Sequence, residues 1–155
     1  MRGLSLSIRL VALAAVALGV GGCTLLPALD SPAAGPLVTI ETRGGHCRQG
    51  PCGGVVAIER DGRVHATAPV AEELGRLPEN LKSGLEQVIR TADFQRLRSR
   101  PFTGECPVNF DGQETVYTFT AATGPIRLAS CEVEIDPSDP LFVTIEAALG
   151  ALPPR

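Results

Sequence analysis

Five cysteines constrain this chain of 155 residues more than any other feature, because each disulfide would fix two separate segments against each other. They are Cys23, Cys47, Cys52, Cys106 and Cys131. An odd number leaves one cysteine over, so the role of that one decides how the other four are interpreted.

The N-terminus has the three regions of a secretory signal. Arg2 and Arg9 make the first nine residues basic, residues 10–20 (LVALAAVALGV) are apolar apart from one glycine, and Gly21 and Gly22 follow. A basic start, a short apolar core and small residues before a cleavage point are typical of a signal peptide. The apolar run is shorter than the ~20 residues of a membrane-spanning helix.

The sequence Val20-Gly21-Gly22-Cys23 resembles the lipobox of bacterial lipoproteins, in which small residues precede an invariant cysteine. The resemblance covers residues 1–23 only. It implies that the leader 1–22 is removed and that Cys23 becomes an acylated N-terminus. Two acyl chains hold a protein to a membrane because each buried methylene contributes about 0.8 kcal/mol, whereas one chain binds only marginally. An ordinary secreted protein with a chance cysteine and an uncleaved anchor are the alternatives.

The same resemblance implies a location in the cell envelope, outside the cytoplasm. Thr24 after the lipidated cysteine, in place of aspartate, resembles an outer-membrane sorting signal, with the protein facing the periplasm. In a one-membrane bacterium the protein would lie on the outer face of the plasma membrane. Residues 23–36 (CTLLPALDSPAAGP) are rich in proline and alanine and predict a tether of about 40 Å, followed by a single domain over residues 37–152.

The charge of the chain argues against nucleic acid as a partner. Two of the 14 basic residues, Arg2 and Arg9, belong to the leader, which leaves 12 against 17 acidic residues and a net charge of −5. Proteins that bind nucleic acid need basic patches that displace counterions from the phosphates.

Four cysteines remain once Cys23 is assigned to the lipid. An even number in an exported chain indicates disulfides, with three possible connectivities. We favour Cys47–Cys52 and Cys106–Cys131, whose loops give about 2 and about 3.5 kcal/mol on the chain-entropy estimate. Pairing between the two loops stays open.

Periodicity predicts an α+β domain. Strands are expected over residues 37–42, 55–68, 115–121 and 126–135, the second of these being a hairpin, and helices over residues 77–92 and 139–150. Residues 69–75 are expected to be a connection, and Thr91 is a candidate cap for a further helical turn. Short turns between strands favour a mainly antiparallel sheet of about five strands, with two helices packed on one side and disulfides as staples.

The hairpin in residues 55–68 has a register that can be derived. A three-residue loop, Arg60-Asp61-Gly62, puts Ile58 opposite Val64 and makes one face wholly apolar. A two-residue loop would mix the two faces, so the longer loop is expected.

No catalytic group, metal or cofactor is indicated by the sequence. It has no Gly-x-Ser-x-Gly motif, and the Asn109-Phe110-Asp111-Gly112 stretch fits a turn better than a calcium loop. Alternation would place Glu132 and Glu134 on one solvated strand face.

Two functional hypotheses follow. The first is a non-enzymatic binding or envelope-structural module that offers Arg48 and Gln49 to an envelope protein, a peptide or a polysaccharide. The alternative is a redox- or metal-responsive envelope protein that uses His46, Cys47 and Cys52.

Overall fold

The computed structural model describes residues 35–47 and 50–154. These residues form six strands, three α-helices and one short 3-10 helix. In chain order they are β1 (Val38–Cys47), β2 (Gly50–Ile58), β3 (Arg63–Ala68), β4 (Glu72–Arg76), α1 (Glu79–Thr91), α2 (Phe94–Arg98), the 3-10 helix (Pro107–Phe110), β5 (Gln113–Ala121), β6 (Gly124–Ala129) and α3 (Pro140–Gly150).

The six strands make one sheet in the order β4-β3-β2-β1-β5-β6, and every neighbouring pair is antiparallel. The α+β class predicted from the sequence is therefore confirmed, with six described strands in place of about five. The additional strand is β4, which occupies much of the predicted connection 69–75. Its sequence, EELGR, has no apolar alternation, so only its pairing with β3 identifies it as a strand.

The helices cover one face of the sheet. Tyr117 and Phe119 of β5 point toward them, with ring centroids 5.0 Å from Phe142 and 5.2 Å from Phe94, respectively. Burial raises the pKa of the Tyr117 hydroxyl above its ordinary value. The core cluster also includes Val38, Ile40, Ile58, Val64, Leu85, Ile89, Leu97, Leu128, Leu141 and Ile145.

The hairpin between β2 and β3 has the register derived from the sequence. Ile58 faces Val64, and the backbone N–H of Glu59 donates to the Arg63 carbonyl at 2.8 Å across the three-residue loop. Gly62 has φ +85°, which is why glycine suits this position of the loop.

The short helix α2 corresponds to the further helical turn that was expected after the first predicted helix. Asp93 caps it by accepting a hydrogen bond from the Arg96 N–H at 2.9 Å. Thr91, expected as the cap, is instead the last residue of α1, so that assignment was wrong. Aspartate is the better cap because its carboxylate accepts from the free N–H groups of a helix start.

The predicted strand over residues 126–135 was wrong beyond Ala129. The N–H groups of Glu132 and Val133 both donate to the Ala129 carbonyl at 2.9 Å, so the chain turns there. Glu132 forms an ion pair with Arg127 at 2.7 Å and does not share a strand face with Glu134. Beyond this turn Val133 is buried, although both of its glutamate neighbours are exposed.

Candidate functional site: the disulfide-bearing end of the sheet

The central hairpin, β1–β2, does not stop at the predicted strand end but continues to the cysteines. The register shifts between Arg43 and His46, where Gly44 and Gly45 have φ values of +89° and +78°. A β-bulge of this kind bends the strand and re-aims its side chains. The Cys47–Cys52 disulfide, with Cα atoms 5.2 Å apart, closes the hairpin beyond the bulge.

The 3-10 helix Pro107–Phe110 lies against this bulge. A Cβ atom added at Gly44 would lie 2.9 Å from both the Val108 side chain and the Gly112 carbonyl oxygen. Only glycine therefore permits this approach. Asp111 ends the 3-10 helix with φ +59°, and the Gly112 N–H donates to the Pro107 carbonyl at 2.8 Å.

An ion pair and a histidine–aspartate hydrogen bond join the hairpin to the segment that begins with the 3-10 helix. Arg43 Nε donates to Glu114 Oε1 at 2.5 Å, and Glu114 is only 7% exposed. This hydrogen bond raises the pKa of the Arg43 guanidinium. His46 Nδ1 lies 2.5 Å from Asp111 Oδ1, in a pair that is open to solvent.

The second disulfide lies beside the buried carboxylate. Cys106 and Cys131 are bonded, and both sulfur atoms lie within 4.8 Å of a Glu114 carboxylate oxygen. Both predicted pairings are thus present, and no pairing between the two loops occurs. The three residues are the group of potential metal ligands found in the described part of the chain. Bonded sulfurs cannot serve as thiolate ligands, so the group is not a metal site in this form.

We call this end of the domain the tip: residues 43–47 and 52–54, the 3-10 helix Pro107–Phe110, Asp111, Glu114 and the Cys106–Cys131 disulfide. Phe110 is 65% exposed and Val108 is 38% exposed. Large exposed apolar side chains on a rigid support are the kind of residue that anchors a protein interface. Phe110 is a functional candidate that the sequence did not reveal, because a phenylalanine is ordinarily expected to be buried in the core.

The two histidines do not come together. His46 lies at the tip, and His65 lies on β3 with its Nε2 3.6 Å from Glu59 Oε1. The His46–Asp111 pair resembles a base and its orienting carboxylate, but its side chains are 88% and 73% exposed. A site this open lacks the water-excluded surroundings in which such a pair becomes an effective catalyst.

Two other concave surfaces are open to solvent. An apolar groove between β2, β4 and the C-terminal end of α3 is lined by Val56, Leu74, Leu149, Leu152 and Pro153. A polar one beside β3 and β4 includes Arg63, His65 and Glu73. The first is mainly apolar and the second carries several charged or titratable side chains, but neither is enclosed as a typical small-molecule site is.

Several predicted features lie outside the described residues. They are the leader 1–22, the acylated Cys23, most of the tether 23–36, and the two loop residues Arg48 and Gln49. Arg48 and Gln49 fall between Cys47 and Cys52, within the ring that the first disulfide closes.

No protein-family model and no curated protein matches this chain. Among the described helices, none has both the length and the apolar character needed to cross a bilayer.

Proposed function

We propose that this chain is a lipid-anchored protein of the bacterial cell envelope, and that it is a non-enzymatic binding module whose tip contacts a partner protein. The observation that carries the proposal is Phe110, exposed at the tip on a support made by two disulfides, the Arg43–Glu114 ion pair and the His46–Asp111 hydrogen bond. Binding costs less free energy when the contacting residues are already ordered, and such cross-links order them.

The position of the tip supports this role. Gly35 precedes β1, and the Leu37 N–H donates to the Ile58 carbonyl at the start of the sheet. Cys47 is the last residue of β1, which begins at Val38. The tip is therefore at the far end of β1 from the point where the proposed tether joins the domain.

The two disulfides support a location outside the cytoplasm. Structural disulfides persist in oxidising compartments and are rare where thiols are kept reduced. This agrees with the resemblance of residues 1–23 to a lipoprotein leader. An outer-membrane position facing the periplasm and the outer face of a plasma membrane both satisfy it.

A partner protein with an apolar pocket suits the tip better than a polysaccharide does. Phe110 and Val108 are exposed on the same 3-10 helix, and the nearby polar side chains of His46 and Asp111 are already paired with each other. A tip of this kind offers apolar area at its centre and satisfied polar groups at its rim, as protein interfaces do.

Site-specific photocrosslinking in native membranes tests the proposal. A benzophenone amino acid replaces Phe110 in the full lipidated chain, and the matched control carries it at Val143, an exposed apolar residue of α3. We expect a discrete protease-sensitive adduct from position 110 only. Equal adducts from both positions, a glycan adduct, or no adduct from position 110 would contradict a protein-binding tip.

Cell fractionation tests the anchor independently. We expect wild-type protein in the membrane fraction, labelled by a radioactive fatty acid, and Cys23→Ser unlabelled and released from that fraction. Labelling of Cys23→Ser would show that the acyl chains are elsewhere.

A further inference from the structure

The two disulfides differ in their access to solvent. Cys47 is exposed, whereas Cys52, Cys106 and Cys131 are each half-buried. A thiolate attacks a disulfide by direct approach to one sulfur, so access decides which sulfur reacts first. Residue exposure therefore makes Cys47–Cys52 the more accessible of the two disulfides, on its Cys47 side.

We propose that Cys47–Cys52 is a thiol–disulfide exchange site for an extracytoplasmic dithiol reductant, and that its opening releases the tip. One thiolate of the reductant attacks Cys47 Sγ, the Sγ–Sγ bond breaks, and Cys52 leaves as a thiolate that takes up a proton. The second thiol of the reductant then attacks the mixed disulfide and releases Cys47 as a thiol. The reductant leaves as its own disulfide, so two electrons and two protons pass to the cysteine pair.

The second disulfide is protected by its surroundings. Glu114, which is almost fully buried, holds its carboxylate within 4.8 Å of the sulfur atoms of Cys106 and Cys131. A negative charge at that distance opposes an incoming thiolate and the thiolate that would leave. Arg43 offsets part of this charge, so burial of the two cysteines adds to the protection.

Opening the Cys47–Cys52 disulfide would affect the position of Phe110, because the hairpin end contacts the end of the 3-10 helix that carries Phe110. A Cβ added at Gly45 would lie 3.5 Å from Cys52 Cβ and 3.2 Å from the Asp111 carbonyl oxygen, so the hairpin and the end of the 3-10 helix are in close contact there. His46, adjacent to Cys47, contacts Asp111 through the exposed side-chain hydrogen bond. Loss of the Cys47–Cys52 bond removes the covalent closure that keeps these groups together. The switch acts on the binding surface proposed above and takes its biological meaning from that proposal.

Differential thiol labelling tests the exchange site. The oxidised full chain is treated with graded dithiothreitol, quenched with an alkylating reagent and mapped by peptide mass spectrometry. We expect Cys47 and Cys52 to be labelled about tenfold faster than Cys106 and Cys131. Equal rates, or earlier labelling of Cys106 and Cys131, would overturn the proposal.

A second variant separates the effect of burial on the Cys106–Cys131 disulfide from the effect of the Glu114 charge. Glu114→Gln leaves Arg43 without its carboxylate beside the second disulfide, and we expect reduction of Cys106–Cys131 to accelerate several-fold while Cys47–Cys52 keeps its rate. An unchanged rate at Cys106–Cys131 would refute the protective role of Glu114.

A fluorescence reporter tests the release of the tip. The chain has no tryptophan, so Phe110→Trp gives a single tryptophan at the tip, which can be excited selectively over Tyr117, and Val143→Trp gives the matched control on α3. We expect the anisotropy of Phe110→Trp to fall as Cys47 becomes labelled, with Val143→Trp unchanged. Full labelling of Cys47 with constant anisotropy at position 110 would overturn the coupling. These measurements need no partner, so their failure and the failure of the crosslinking experiment are distinguishable.

Discussion

Gly44 permits the close contact between the hairpin and the 3-10 helix. It has a positive φ of +89°, and a Cβ would meet Val108 and the Gly112 carbonyl oxygen at 2.9 Å. We expect Gly44→Ala to lower the free energy of unfolding by about 1–3 kcal/mol, because both the backbone conformation and the contact become strained. Urea unfolding of the oxidised protein measures this.

Gly84 supplies the control for that substitution. It lies on the exposed side of α1, with nothing within 4 Å of an added Cβ. Gly84→Ala should raise the free energy of unfolding by about 0.5–1 kcal/mol, since alanine restricts the unfolded chain and favours the helix. If both substitutions lowered the free energy of unfolding by similar amounts, the contact at Gly44 would not be the cause of the loss.

Single residues were predictable from the sequence where the chemistry was local to them. The even number of remaining cysteines predicted disulfides, and the favoured pairs are the ones present, although the sequence left pairing between the two loops open. Arg43 and Glu114 could not be found, because 71 residues separate them and neither lies in a recognisable motif. Phe110 was missed for a different reason: the sequence does not show whether an apolar residue is buried or exposed.

Asp61 at the β2–β3 turn gives the hairpin a dependence on pH. Its carboxylate accepts hydrogen bonds from the Arg63 side chain at 2.8 Å and the Arg63 N–H at 3.0 Å, and these lower the pKa of Asp61. Since the folded pKa is below the unfolded value of about 4, the stabilisation is complete above that pH. It is lost as the pH falls through the lower folded value.

Asp61→Asn checks this sign. We expect wild type to be more stable than the variant by a constant amount near neutral pH, and the difference to shrink progressively below about pH 4. Urea unfolding from pH 7 to pH 3 gives the two curves. A difference that persists undiminished at pH 3 would assign the effect of Asp61 to something other than its charge.

Elements were predictable where one face is buried against a neighbour. The β2–β3 register followed from the apolar face containing Ile58 and Val64, because a slip by one residue would expose it. β4 was missed because its sequence does not alternate between apolar and polar residues. Only its pairing with β3 identifies it as a strand. The end of β6 was misplaced because Cys131 and Val133 look like strand residues, although a turn at Ala129 is needed to bring Cys131 to Cys106.

At the scale of the whole molecule, the disulfides divide the stabilisation unequally. The first spans a sequence separation of 5 and the second of 25. On the chain-entropy estimate, Cys47→Ala/Cys52→Ala should cost about 2 kcal/mol and Cys106→Ala/Cys131→Ala about 3.5 kcal/mol. Equilibrium unfolding of the two double variants, without reductant, measures both costs.

The order of these costs is the informative result. The larger loss is expected for the half-buried pair, because its loop restricts more of the unfolded chain. A larger loss for Cys47→Ala/Cys52→Ala would mean that the hairpin end stabilises the whole domain. In that case opening the first disulfide could not be a local event.

The two outer strands of the sheet have a consequence for how densely such molecules can gather. β4 contains an irregular pairing with β3 and a glycine, Gly75, against which Leu152 and Pro153 of the C-terminal segment rest. β6 contains Pro125, which has no amide hydrogen for a further strand. Features of this kind discourage edge-to-edge aggregation between copies. A lipid anchor would confine the protein to the membrane plane at high local concentration. Edge strands that resist further pairing would then allow neighbouring copies to collide without forming fibrils.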